Sequence, residues 1–272
     1  MNAYQMASLA AASLATGVFA GITAGLLGVG GGIVIVPVLF YAFGLLGIDE
    51  NVRMHLAVGT SLATIIPTSI VSAMAHRRRD AIDIPLLKSW AAATFFGVLA
   101  GTAIAGVVRG AVLTAVFAAV AMLVAAHMAF RPEGAHIRDT LPSGWAKLAT
   151  AASVGAFSAM MGIGGGTLCV PILSACNYPI RRAVGTASAI GLIIAVPGTL
   201  GFALAGLGVA GRPPGSLGYI SLIGFALLTP STLLAVPWGA KLAHTVPPGV
   251  LRKAFAAFLL ATSLRMLYDL LR

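Results

Sequence analysis

Ten apolar runs separated by short polar segments set the solvent in which this chain can fold. They lie near residues 6–28, 31–47, 56–75, 85–108 and 110–130, and again near 146–162, 165–176, 183–210, 217–240 and 249–271. A bilayer core of roughly 30 Å takes about 20 apolar residues per helix, so most of these runs are long enough to cross one. Of the 272 residues 59% are hydrophobic and 9% charged. A soluble domain carries about 25% charged residues, so water is not the solvent for most of this surface. The lipid bilayer is the first partner implied. The runs that start at Gly31 and Gly165 are short and fit half-spanning or re-entrant helices better than full crossings. The expected fold is an all-α polytopic membrane bundle.

A piece of sequence is duplicated along with the run pattern. Residues 28–39 read GVGGGIVIVPVL and residues 162–173 read GIGGGTLCVPIL, seven of twelve identical at an offset of 134. AVGTS from Ala57 recurs as AVGTA from Ala183 at an offset of 126. The first half therefore holds eight extra residues, expected in the loop around Asp49, Glu50 and Asn51. Gly101 with Gly239, and Leu113 with Leu251, return an offset of 138, which puts a compensating insertion near Arg212, Pro213 and Pro214. The expected division is a first membrane repeat over 1–131, a polar cytoplasmic connector over 132–147 and a second repeat over 148–272.

Orientation follows from Lys and Arg, which concentrate in short cytoplasmic loops. With the cluster His76-Arg77-Arg78-Arg79 inside, twelve of the 17 basic residues fall inside, five outside, and both termini lie outside. Each half then inverts the next, the arrangement of many secondary transporters. A multi-pass protein of the cytoplasmic membrane is expected. The first run has no Lys or Arg before it and reads as a membrane helix rather than a cleaved leader.

The sharpest chemical feature is the pair of triplets Gly30, Gly31, Gly32 and Gly164, Gly165, Gly166, each opening a short apolar run. Glycine allows a turn with positive φ and exposes its amides. A helix starting there leaves its first N–H groups unpaired and carries roughly +0.5 charge at that end, so two such ends form an anion site without a buried Lys or Arg. Short glycine-interrupted segments at matching places in two halves point to a transport site. The other reading is close helix packing of the small-xxx-small kind, which Gly21, Gly25, Gly97 and Gly101 also suit. Thr60, Ser61, Thr186 and Ser188 add hydroxyls that either bind an oxyanion or bond a carbonyl of their own helix.

Other chemistries lack a foothold. The net charge of +10 forms no basic stripe interleaved with aromatics, so no nucleic-acid partner is expected. Cys169 and Cys176 have no metal spacing, and no cofactor or metal motif, phosphate-cradling loop or nucleophile elbow is present; the chain is not expected to be an enzyme. All seven acidic residues sit in connectors or near run ends, against a buried carboxylate relay. His55 and His127 lie close to predicted helix ends, where interfacial solvation is the ordinary role of a histidine. An anion channel using the glycine turns as its filter is the alternative to a carrier. Faces such as Gly97 and Gly101 suit packing within the bundle or in a homo-oligomer equally.

The segments GLLGVGGGIVIVPVL with AVGTS and GIGGGTLCVPIL with AVGT resemble the TauE/SafE (sulfite exporter) family of membrane transporters, over residues 15–270. The resemblance implies a transporter of sulfite, a sulfonate or another organosulfur or organic anion. It places the site at Gly30, Gly31, Gly32 and Thr60 with Gly164, Gly165, Gly166 and Thr186.

Overall fold

The structure, a computed structural model, describes residues 3–27, 30–130, 138–242 and 248–271. Its ten helices are α1 (Ala3–Leu27), α2 (Gly32–Leu45), α3 (Glu50–Arg77), α4 (Ile84–Val107), α5 (Gly110–Phe130), α6 (Gly144–Met161), α7 (Gly166–Ala175), α8 (Ile180–Ala205), α9 (Leu222–Leu242) and α10 (Pro248–Leu271). Each coincides with one apolar run, so the all-α membrane bundle read from hydropathy is what forms. Among the described residues, α3, α4, α5, α8 and most of α9 are long and apolar enough to cross a membrane. The helices α2 and α7 have 14 and 10 residues. At 1.5 Å per residue they reach about 21 and 15 Å, short of a core of roughly 30 Å. Gly28, Val29 and the first part of the polar connector, within residues 131–137, lie outside the described residues.

Local chemistry sets the helix boundaries. Asp49 accepts the Asn51 N–H at 2.8 Å to start α3, and Asp83 accepts the Leu86 N–H at 2.9 Å to start α4. Ser221 starts α9 in the same way, accepting the Gly224 N–H at 3.2 Å. At the C-termini of α2, α6 and α7 a residue in the left-handed region closes a Schellman turn: Gly47 (φ 71°), Gly162 (φ 68°) and Asn177 (φ 55°).

The eight extra residues of the first half are not in a loop. Helix α2 is 14 residues long where α7 is 10, and α3 begins seven residues before Ala57 where α8 begins three before Ala183. The insertion is thus one added turn on each of α2 and α3, and the connections 46–49 and 176–179 stay equal in length. Backbone amides added to a helix are bonded within it, whereas eight loop residues at the edge of a membrane are not. The compensating insertion does lie in a connection: residues 206–221 carry a two-stranded hairpin, β1 (Ser216–Leu217) with β2 (Ile220–Ser221).

Helices α3 and α8 pack against each other at the centre, with α1 against α9 and α4 against α6 on either side, and α5 against α10. Glycine lets backbones touch along these seams, and the contacts recur at the sequence offsets. A Cβ at Gly21 would fall 2.3 Å from the Thr232 carbonyl oxygen, and one at Gly155 would fall 2.2 Å from that of Thr94. Gly239 meets Ile22 O at 2.1 Å as Gly101 meets Ala156 O at 2.4 Å, and Gly59 meets Tyr219 O at 2.3 Å as Gly185 meets Ala81 O at the same distance. Gly21, Ile22 and Gly59 match Gly155, Ala156 and Gly185, while Ala81, Thr94 and Gly101 match Tyr219, Thr232 and Gly239. Reciprocal contacts therefore join α1 to α9 and α6 to α4.

Gly101→Ala and Gly239→Ala are expected to destabilise the solubilised protein by similar amounts, about 1–3 kcal/mol each from overpacking. Gly106→Ala, whose Cβ would meet only the Ala205 methyl at 3.2 Å, is expected to change little. Thermal melting of the three variants in detergent checks the ranking.

Candidate substrate site at the paired glycine turns

The two glycine turns meet. A Cβ on Gly32 would lie 2.4 Å from the Gly162 carbonyl oxygen and 2.9 Å from Ile163 Cα, so the start of α2 abuts the turn that leads into α7. All the described triplet residues, Gly30, Gly31, Gly32, Gly164, Gly165 and Gly166, are buried. Their backbones differ. Gly30 (φ 70°) and Gly31 (φ 79°) are left-handed, whereas Gly165 caps α7 in the right-handed region and the positive φ of that turn belongs to Gly162. At α7 the first bond to the turn runs from Cys169 N–H to Gly165 O at 2.8 Å. The amides of Gly166, Thr167 and Leu168 precede it and have no acceptor within the helix.

The hydroxyls of the AVGT segments are engaged in three ways. Thr60 Oγ1 accepts the Ser221 N–H and Thr186 Oγ1 accepts the Asp83 N–H, both at 2.9 Å. These are equivalent bonds in the two halves, and each ties a central helix to the residue that caps α9 or α4. Ser61 Oγ donates to Gly162 O at 2.7 Å, holding α3 to the second glycine turn. Ser188 Oγ donates to Gly185 O at 2.7 Å, inside its own helix.

Three buried residues escape the motif pattern. Ser69 in α3 and Thr167 in α7 are 1% and 2% exposed, and neither hydroxyl has a hydrogen-bond partner. Gly191 in α8 stands beside Ser69, its would-be Cβ 2.8 Å from Ser69 Oγ and 3.6 Å from Gly165 N. Isolated Ser, Thr and Gly in apolar runs carry no sequence signal of their own. Among the described residues no Lys, Arg, Asp or Glu is buried. A separate groove of about 360 Å³ between α5, α6 and α7 is lined mainly by apolar residues such as Val120, Phe157, Leu168 and Ile172, a poor lining for an anion.

His55 departs from its expected interfacial place. It is buried, its ring nitrogens 3.1 and 3.0 Å from the carbonyl oxygens of Asn51 and Ala105, and its ring stacks on Tyr219 at 4.8 Å. The added turn of α3 extends the helix beyond His55, which becomes a bridge to the end of α4. His127 is half-buried in the last turn of α5.

Residues 13–266 match the model of the sulfite exporter TauE/SafE family. The chain belongs to the TauE/SafE family. A probable membrane transporter protein of Haemophilus influenzae is 30% identical over 253 residues, covering 93% of this chain and 96% of the relative. One of Methanocaldococcus jannaschii is 26% identical over 264 residues, 92% of each chain. No solved structure matches. The chain is thus a multi-pass membrane protein of the TauE/SafE family, and the duplicated glycine segments that meet within it fall inside the matched residues.

Asp83 joins three elements of this TauE/SafE protein: its N–H donates to Thr186, and its carboxylate accepts from Leu86 N–H and the Tyr178 hydroxyl. The Leu86 amide first, then the Tyr178 hydroxyl, hold its pKa below the usual carboxylate range. A depressed folded-state pKa means that the contribution to stability is present above the unfolded pKa of about 3.9 and lost as pH falls through the folded value. Asp83→Asn is therefore expected to lower the melting temperature at pH 7 and to narrow its gap from wild type under acid. Thr60→Val and Thr186→Val, each leaving a part-buried or buried N–H unpaired, are expected to destabilise by about 1–3 kcal/mol.

Proposed function

We propose that this protein is a secondary transporter of a small oxyanion in the cytoplasmic membrane, holding the anion at the glycine-led helix ends between two inverted repeats that rock to give alternating access. Membrane transport follows from family membership; the anion, its site and the mechanism are our reading. One observation carries it: the glycine turns abut at Gly32 and Gly162, inside a core where no described Lys, Arg, Asp or Glu is buried. Unpaired amides at a helix N-terminus favour negative charge, and in a site of low dielectric they do so without a buried cation. The reciprocal contacts of α1 with α9 and α6 with α4 support two equivalent halves. The basic cluster His76-Arg77-Arg78-Arg79 supports placing the α3–α4 loop in the cytoplasm. Sulfite, sulfonates and short carboxylates are the substrate class, in line with the name of the family.

Counterflow in proteoliposomes tests the reading. Uptake of labelled sulfite, sulfoacetate or acetate is expected to saturate and to accelerate when the same anion is loaded inside. Absence of uptake for every anion overturns the substrate class. Conductance in planar bilayers without saturation or exchange stimulation overturns the carrier mechanism in favour of a channel.

A further inference from the structure

The surroundings of the two glycine turns are not alike. Around the N-terminus of α7 stand Ser69 and Thr167, buried hydroxyls without partners, and the free amides of the first turn. Ser69 lies beside that end: a Cβ at Gly191 would fall 2.8 Å from Ser69 Oγ and 3.6 Å from Gly165 N, so only glycine there leaves room for the hydroxyl. The same hydroxyl lies 3.5 Å from the Cβ position of Gly30. Buried hydroxyls favour having a partner, and these two stand at one helix end, where each is available to an acceptor that binds there.

The first half lacks this equipment. Its repeat partner of Thr167 is Ile33, and in the second half the partner of Ser69 is Ala195. Both are fully buried in the apolar core. The turn that leads into α2 is bordered by the Ile65 side chain at Gly30 and by Ala20 at Gly31.

We infer that the turns have diverged: the N-terminus of α7, with Ser69 and Thr167, is the single binding site for one oxyanion, and the Gly30–Gly32 turn is a packing wall beside it. This deepens the proposed function and rests on it. The ligands come from α3 in one half and α7 in the other, so the bound anion bridges the interface. About half a positive charge at one helix end, with neutral hydroxyls and no buried cation, matches a singly charged oxyanion such as hydrogen sulfite, a sulfonate or a carboxylate, and disfavours a dianion such as sulfate.

Titration calorimetry of the purified protein with sulfite, methanesulfonate, acetate and sulfate, each alone, tests the assignment. One anion per chain is expected, with sulfate the weakest. For the preferred anion, Ser69→Ala and Thr167→Val are expected to lower affinity about tenfold or more, and Thr167→Ser to stay within about threefold of wild type, since it keeps the hydroxyl. Gly191→Ala places a methyl 2.8 Å from Ser69 Oγ, which must shift that hydroxyl, and is expected to remove binding. Thr114→Val, whose hydroxyl bonds Gly110 O in its own helix, is expected to bind as wild type. Because neither Ser69 nor Thr167 spends its hydroxyl on the ligand-free fold, the melting temperatures of Ser69→Ala and Thr167→Val without anion should not fall, while the rise on adding anion should vanish. Wild-type affinity in Ser69→Ala, Thr167→Val and Gly191→Ala, two anions per chain, or a preference for sulfate would overturn the single site and leave anion transport standing. A wild-type protein that binds none of the four overturns both.

Discussion

Backbone lies against backbone through the middle of this bundle, and the rest of the structure depends on that closeness. In a bilayer, lipid tails are as apolar as leucine side chains, so helices gain little by hiding apolar surface from them and associate through packing and hydrogen bonds instead. Glycine permits the approach at Gly21, Gly59, Gly101, Gly155, Gly185 and Gly239, where a methyl would fall between 2.1 and 2.4 Å from a carbonyl oxygen. Each close seam brings a polar backbone group near a neighbouring helix. Thr60 and Thr186 exploit that proximity by accepting the N–H of the residue that starts α9 or α4. Packing and capping are thus one device: the segment that leads into α9 or α4 passes a central helix at a glycine and is held by a threonine one residue further along that helix.

The same device makes the two halves depend on each other. Thr60 of α3 receives Ser221 from the second half, and Thr186 of α8 receives Asp83 from the first. The N–H of the residue that caps α4 or α9 is thus satisfied only by the other half. Asp83 and Ser221 do equivalent work as caps, but only Asp83 brings a charge, and it is held by the Leu86 amide and Tyr178 outside the apolar interior. A carboxylate at that edge avoids the desolvation that the centre would impose.

The helices were legible in sequence because a bilayer demands long apolar runs, and the repeat was legible because GVGGG and AVGT sit at backbone contacts that tolerate few residues. What was hidden depends on helix length and on side-chain surroundings. Nothing in the order of residues 40–56 distinguishes a longer loop from a turn added to each of α2 and α3, so the insertion was misplaced and His55 was read as interfacial. Thr60 and Thr186 stood out by pattern, yet their bonds to Ser221 and Asp83 span 161 and 103 residues. Ser69, Thr167 and Gly191 were illegible one by one. Only the fold shows that Ser69 and Gly191, from different helices, meet beside the turn into α7, where Thr167 lies in the first turn.

The divergence we infer between the turns is what the proposed carrier of one small anion would need. Two equivalent helix ends facing each other would offer two competing sites, and an anion shared between them would gain little from the motion of either half. Filling one end with Ile33 and Ala195 and leaving Ser69 and Thr167 at the other breaks the degeneracy without a buried charge. Since Ser69 belongs to α3 and the α7 amides to the opposite half, the proposed rocking of the halves would change the distance between these two proposed ligand groups. Binding energy then depends on conformation, and a ligand can bias a conformational equilibrium only through such a difference.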